Sequence, residues 1–422
     1  MMMSFHAFSK HNLFVVIMIS LLLPPFFSVI YLFSLLSKYK KRDYLIVFLF
    51  FFVLYLTYNF FSIDNVGRFT NASLPSYEMI WLLMDPLTIV LHYGMKYLSL
   101  ESNHFFLFCI FVIYYFWMQT FTTSVKNRLN SSVLLIGITA LSLRYSMDLL
   151  YYCLAATFAF WMAAKKEYSL KYLIILLSCV YLLHPGFLLI LCPSIGLYYG
   201  IKLSLNKKKY IYIVSLIIIY IFAYMISHTT FLNTLGIPFI DVMLESFNSY
   251  VGDGAWGQRS GNRMIGGFTY TIAYYLIPSM YFIVFLLSVK YYSSLQNKKI
   301  LSIFQTAMLF YPNFINFVTL TERTLLVLSL TFILVLFMLK DSKCKTIKLL
   351  TNRNVLICCL CISFFNFYKM SGAVKLSNVF RINTYEEIRN RSYYVPSIFL
   401  LDYNSYGFSN DYLKRNVDIK SF

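Results

Sequence analysis

The chain has 422 residues, of which 59% are hydrophobic, 20% are aromatic and only 13% are charged. Soluble domains carry about 45–50% apolar and about 25% charged residues, so this composition excludes a soluble globular protein. Apolar runs recur from end to end, which also excludes disorder, collagen and a coiled coil. We therefore predict an all-α fold, a polytopic integral membrane helix bundle that forms a single transmembrane domain over residues 1–422.

The apolar runs predict about twelve transmembrane helices, because about 20 apolar residues are needed to cross the hydrocarbon core. In chain order, the predicted spans are roughly 13–36, 44–62, 104–122, 130–147, 149–164, 170–184, 187–201, 210–227, 268–289, 300–318, 324–339 and 354–370.

The basic residues predict which loops face the cytoplasm. Six clusters hold 21 of the 36 Lys and Arg and occupy every second loop, at 38–42, 126–128, 165–171, 202–209, 290–299 and 340–353. Lys and Arg favour cytoplasmic loops, so the intervening loops are predicted to lie outside. The N-terminus is then outside too, if residues 13–36 form one span and not a hairpin broken by Pro24 and Pro25.

The net charge of +19 therefore reflects topology. Nucleic-acid binding is the competing interpretation of a basic chain, and the scatter of single charges between apolar runs disfavours it.

Three segments on the predicted outer side are long: 63–103, 228–267 and a C-terminal tail at 371–422. Within the first, residues 79–98 mix apolar positions with Asp85, Pro86, His92 and Lys96, which predicts a helix lying along the membrane surface. The second is rich in glycine and aromatic residues. Loops of this length with such a composition are usually functional.

Arginine is concentrated in the predicted outer loops, which hold five Arg and one Lys against 3 Arg and 18 Lys in the cytoplasmic clusters. A planar guanidinium can bind phosphate through two parallel hydrogen bonds, so outer arginines are candidate diphosphate ligands. Arg144 ends an apolar run, and the alternative is a pair with Asp148 on the same helix face. Arg323 follows a span, and its alternative is a pair with Glu322.

The second outer loop contains Arg259 and Arg263 among several glycines. Glycines let the backbone approach an anion closely, and two arginines can clamp it. Trp256 beside them could stack on the face of a sugar. The alternative is a solvated, flexible loop.

All six histidines map to the predicted outer side, and His184 is the strongest candidate among them. It lies at an outer turn between two spans, either as a hydrogen-bonded interfacial residue or as a polar anchor for a ligand, since ionisable groups at membrane depth are costly. We expect His184 and Arg144 to lie within about 10 Å of each other, because short connections place their spans side by side. Neither the histidines nor the eight cysteines show the spacing of a metal site or a disulfide framework.

Several segments together resemble a known family. KKRDYLIVFLFFFVLYL precedes an outer segment with Asp64, Tyr77 and Glu78, and MDPLTIVLHYGMKYLSLESNHFFLFCIFVI joins an amphipathic stretch to a Phe-rich span. LSLRYSMDLLYYCLAATFAFWMAAKK and KYLIILLSCVYLLHPGFLLIL are an Arg-ended span and a His-containing span. Over about residues 38–200 this order is similar to the O-antigen and polysaccharide repeat-unit polymerases called Wzy, specifically their EpsG-like branch.

The resemblance implies a GT-C-like glycosyltransferase in the bacterial cytoplasmic (inner) membrane, with its active site facing the periplasm. It would join undecaprenyl-diphosphate-linked oligosaccharide repeat units, passing the growing glycan from its lipid onto the incoming unit. No metal or other cofactor is expected, because the lipid diphosphate is itself the activated donor. Expected partners are membrane lipid and, in the same pathway, a chain-length regulator and a flippase.

The resemblance also implies roles for particular residues. His184 and Arg144 are the candidate catalytic residues, and the candidate substrate-binding residues are Arg259, Arg263, Arg323, Asp64, Tyr77, Glu78 and Trp256. Three alternatives stay open: a lipid-linked oligosaccharide flippase (Wzx-like), another GT-C transferase or O-antigen ligase, and a transporter or structural membrane protein.

Overall fold

The computed structural model describes most of the predicted helical core. The described residues are 13–36, 86–98, 102–125, 131–141, 149–206, 209–228, 275–315 and 317–341, with the single positions 46, 49, 53, 357, 359, 393, 394, 396 and 397. This part of the chain is 90% helix and contains no strand. Four stretches in it are long and apolar enough to cross a membrane: Phe108–Val125, Pro185–Leu205, Tyr210–Ser227 and Leu320–Asp341.

Twelve α-helices lie within the described residues. In chain order they are α1 (Leu13–Leu22), α2 (Pro25–Leu36), α3 (Pro86–Tyr97), α4 (Ser102–Val125), α5 (Ser131–Ala140), α6 (Leu150–Lys165), α7 (Leu170–Leu183), α8 (Leu188–Asn206), α9 (Tyr210–His228), α10 (Ile277–Lys290), α11 (Lys298–Phe314) and α12 (Val318–Asp341). Helices α4 to α12 each overlap a predicted span, whereas the predicted spans 44–62 and 354–370 lie almost wholly outside the described residues.

The N-terminal run 13–36 is divided into two helices, which agrees with the Pro-broken hairpin and not with one continuous span. Helix α1 ends before Pro24 and α2 begins at Pro25, because proline lacks the backbone N–H that would continue a helix. The Ser28 hydroxyl donates to the carbonyl of Ser20 at 2.7 Å. Eight residues of straight helix would separate these positions by about 12 Å, so the chain bends sharply between the two helices.

Helix α3 falls inside the predicted surface segment 79–98. Its twelve residues extend about 18 Å, which is short of the hydrocarbon core of about 30 Å. Its orientation along the membrane surface stays a prediction.

Helices α11 and α12 form the centre of the bundle. Helix α11 contacts α6, α8, α9 and α10 as well as α12, and nearly all of its side chains are buried. Polar residues follow one side of it, including Gln305, whose amide donates to the Ser288 hydroxyl of α10 at 2.9 Å. Such hydrogen bonds between helices contribute to association where lipid removes the usual hydrophobic driving force.

Glycines allow two pairs of helices to approach closely. A β-carbon on Gly137 of α5 would lie 2.6 Å from the Phe121 ring of α4. The indole N–H of Trp117 donates to the Gly137 carbonyl at 2.6 Å, across the same contact. On α8, a β-carbon on Gly200 would clash with the Ser215 hydroxyl of α9. Small residues at these positions therefore set the helix spacing.

Several helix ends that carry lysines meet at one end of the bundle, which we call the lysine end. Lys165 of α6 donates to Gln119 of α4 at 2.6 Å. Lys299 of α11 donates to the carbonyl of Lys166 and lies 3.5 Å from the Glu167 carboxylate. These contacts bring the basic clusters 165–171 and 290–299 to the same end of the bundle.

Lys299 is 7% exposed, and its ammonium also lies 5.4 Å from the centre of the Tyr168 ring. Burial lowers the pKa of Lys299, and the nearby Glu167 carboxylate partly opposes that shift. The neighbouring Lys298 donates to the carbonyls of Tyr292 and Ser293, and burial lowers its pKa to about 8. Lys298 and Lys299 thus join the start of α11 by hydrogen bonds to the α10–α11 and α6–α7 connections.

Replacing Lys299 by Met should destabilise the bundle. The methionine keeps most of the apolar stem but removes the donor to the Lys166 carbonyl, which should cost about 1–3 kcal/mol of unfolding free energy. Thermal unfolding of the purified protein in detergent measures the effect. Lys171→Met is the matched control, because Lys171 is exposed in the same region. Equal unfolding midpoints for Lys299→Met and Lys171→Met would show that Lys299 does not stabilise the lysine end.

Candidate functional site

His184 occupies a turn that the following proline enforces. A residue before proline is disfavoured in the helical conformation, so α7 ends at Leu183 and His184 is extended. Its backbone N–H still donates to the Val180 carbonyl at 2.8 Å, and its carbonyl accepts from Phe187 at 3.1 Å. A single 3-10 turn then leads into α8. This local geometry removes the His184 side chain from the helical pattern of α7 and points it into the bundle, where it is 6% exposed.

Tyr152, in the first turn of α6, lies at the centre of the contacts around His184. The two rings pack edge to face, with centroids 5.3 Å apart and planes at 90°. Phe187 packs on Tyr152 in the same manner at 5.4 Å. The guanidinium carbon of Arg323, near the start of α12, lies 5.6 Å from the centre of the Tyr152 ring. That distance is within the range of a cation–π interaction.

Gly186 completes this group, which we call the His184 cluster: His184, Tyr152, Gly186 and Arg323. A β-carbon on Gly186 would lie 2.9 Å from Cε1 and 3.1 Å from Nδ1 of His184, and 3.6 Å from Nη1 of Arg323. The imidazole and the guanidinium therefore approach the same backbone position, which only glycine leaves open. The side-chain atoms Nδ1 of His184 and Nε of Arg323 are both buried.

Replacing Gly186 by Ala should displace the His184 ring and lower stability. A contact of 2.9 Å is too short for a β-carbon, and overpacking of this kind costs about 1–3 kcal/mol. The midpoint of thermal unfolding in detergent reports the change. Gly196→Ala is the control, because a β-carbon there has nothing within 4 Å. Identical midpoints for Gly186→Ala and Gly196→Ala would contradict the close packing at Gly186.

The His184 cluster lies at the end of the bundle opposite the lysine end. Lys165 follows Tyr152 by thirteen residues of the same helix, which is about 20 Å along its axis. Two connections between helices converge on the cluster: the turn from α7 to α8 and the start of α12 after α11. The Arg323 guanidinium and the His184 imidazole are thus separated from the nine described lysines that lie in or next to the helix ends at the lysine end.

The structure brings together two of the residues that the sequence singled out, His184 and Arg323. The others lie outside the described residues: Arg144, Arg259, Arg263, Asp64, Tyr77, Glu78 and Trp256. The expected proximity of His184 to Arg144 therefore stays a prediction. Sequence reasoning missed Tyr152 and Gly186. The signal for Gly186 was its place in the His-Pro-Gly turn, whereas Tyr152 is one of 37 tyrosines and carries no motif.

The chemistry available to this cluster is anion binding combined with proton transfer. The planar guanidinium of Arg323 carries five N–H donors and can bind phosphate through two parallel hydrogen bonds. Imidazole can accept or donate a proton near neutral pH. Within the described ranges, no group of three His, Cys, Asp or Glu side chains is placed to hold a metal ion.

An all-helical bundle with four apolar helices that could span a membrane is consistent with a membrane protein. No protein family, curated protein or solved structure matches this chain.

Proposed function

We propose that this protein is a membrane glycosyltransferase that polymerises undecaprenyl-diphosphate-linked oligosaccharide repeat units at the outer face of the bacterial cytoplasmic membrane. The proposal rests on one observation: Arg323 and His184 both contact the ring of Tyr152. These two residues are far apart in the chain, and arginine can bind a diphosphate while histidine can accept a proton near neutral pH. The sequence resemblance to repeat-unit polymerases supports the same chemistry.

The distribution of the lysines supports an outward-facing position for the proposed site. Lysines favour the cytoplasmic side, so the lysine end would face the cytoplasm and the His184 cluster would face outward. Lipid-linked repeat units and their growing glycans would then meet the cluster on the outer side. Under this proposal, the arginines and aromatic residues of the outer loops, Arg144, Arg259, Arg263 and Trp256 with Asp64, Tyr77 and Glu78, supply further substrate contacts.

In the proposed reaction, a hydroxyl oxygen of the incoming lipid-linked unit attacks the anomeric carbon of the growing glycan. The bond from that carbon to the diphosphate oxygen breaks, and the lipid diphosphate leaves with the electron pair. Arg323 stabilises the charge that develops on the departing diphosphate, as preorganised donors do in other transfer reactions. His184 orients the attacking hydroxyl and accepts its proton.

One observation favours a second candidate, a lipid-linked oligosaccharide flippase. Helix α11 carries the buried polar residues Ser302, Gln305, Thr306 and Asn313 inside the bundle. Translocation of a sugar headgroup needs polar groups along an interior path, and intramembrane polar residues are often functional. Gln305, for example, donates a hydrogen bond to Ser288 within the protein. Such a contact suits a structural role equally well.

The two candidates differ in what accumulates when the gene is deleted. Loss of a polymerase leaves single repeat units on the surface acceptor, because flipping still supplies units that cannot be joined. Loss of a flippase removes surface units altogether. We expect single capped units, resolved by gel electrophoresis of the surface glycan. Absence of any surface unit would favour the flippase and contradict the polymerase.

A further inference from the structure

We infer that Tyr152 is a positioning residue that fixes His184 and Arg323 relative to each other through its aromatic ring. The catalytic consequence rests on the proposed function. The structural consequence, a defined placement of the His184 ring, does not depend on it.

Tyr152 is the place where three separate parts of the chain meet. The ring belongs to α6, and it contacts His184 and Phe187 from the α7–α8 turn and Arg323 from α12. Tyr152 itself is 2% exposed, so its position is set by the packing of the bundle. A movement of the ring would therefore change the placement of the imidazole and the guanidinium together.

Both contacts are made to the ring. His184 meets it edge to face, with the planes perpendicular, and the Arg323 guanidinium lies over it. Aromatic and cation–π contacts of this kind depend on the negative face and positive edge of the ring. Phenylalanine would keep both contacts, and leucine, although apolar, would remove both.

Three variants separate ring contacts from general packing. Tyr152→Phe keeps the ring, and Tyr152→Leu removes it. Phe160→Leu is the matched control, because Phe160 is a fully buried aromatic residue of the same helix, about 12 Å further along it. The Phe160 ring pairs with Phe187 at 6.3 Å, so its loss tests whether any weakened aromatic packing has the same effect.

The first measurement needs no catalytic activity. His184 in the purified protein is modified with diethyl pyrocarbonate, and the rate is read from its peptide by mass spectrometry. Tyr152→Leu should raise the modification rate of His184 by about two- to tenfold, because the free energy of an aromatic pair of this kind corresponds to that factor. Tyr152→Phe and Phe160→Leu should react at the rate of the unmodified sequence. An unchanged rate in Tyr152→Leu, or an equal rise in Phe160→Leu, would overturn the inference.

The second measurement is the rate of glycan polymerisation by the same proteins. A misplacement of about 1 Å in a catalytic group can lower the rate about 100-fold, so Tyr152→Leu should fall by that order while Tyr152→Phe restores synthesis. Equal losses in Tyr152→Phe and Tyr152→Leu would overturn a role for the ring. If the unmodified protein makes no polymer, the proposed function fails, and the modification rates still decide whether Tyr152 positions His184.

Discussion

Replacing Arg323 by Lys should lower glycan polymerisation by about 100-fold or more, the loss typical when a donor to developing negative charge is removed. The positive charge is kept in this variant. What is lost is the planar guanidinium that lies over the Tyr152 ring and can bind two phosphate oxygens at once. The length distribution of the surface glycan, in a deletion strain that expresses the variant, measures the effect.

The reverse exchange at the lysine end is the control for this experiment. Lys209→Arg lies at an exposed position before α9, so it should leave glycan length unchanged. The amount of protein in the membrane and its unfolding midpoint show whether Arg323→Lys still folds. Glycan of normal length from Arg323→Lys, at normal protein levels, would remove Arg323 from the proposed site.

Replacing His184 by Ala should stop chain growth while the protein still inserts into the membrane. Loss of a general base lowers rates by about 100- to 10,000-fold. The side chain is almost completely buried beside Tyr152, which holds it away from bulk water. Transfer of repeat units in isolated membranes measures the rate directly.

A second substitution separates proton transfer from orientation of the acceptor. His184→Gln keeps a hydrogen-bonding side chain but cannot accept the proton. If His184 acts as the base, Gln should be as inactive as Ala. Activity restored by Gln would reduce His184 to an orienting residue, and full activity of His184→Ala would exclude it from the reaction.

The helices of this protein follow from its sequence, because apolar runs of the required length have few alternatives in a membrane. The predicted span 210–227 and the helix Tyr210–His228 agree within one residue. For residues 13–36 the sequence left one span and a hairpin broken at Pro24 and Pro25 open, and the structure has two helices there.

The candidate site was only partly visible in the sequence. His184 could be singled out because it is an ionisable residue at a turn between two apolar runs, and the structure places it at a helix-ending turn. Arg323 could also be singled out as an arginine beside a span. The sequence could not show that both residues contact Tyr152, because the three residues belong to different parts of the chain. Contacts between helices depend on packing in three dimensions, and local periodicity does not specify them. The pairing of Arg323 with Tyr152 is of this kind.

The most direct measurement of the central claim is polymerisation by the purified protein in liposomes. The liposomes contain the undecaprenyl-diphosphate-linked repeat unit of the source strain and no other protein, and products are separated by size. We expect a ladder of longer lipid-linked glycans with release of undecaprenyl diphosphate, and no ladder from His184→Ala. Single units that stay unextended in the presence of correctly folded protein, or an equal ladder from His184→Ala, would contradict a polymerase whose site is the His184 cluster.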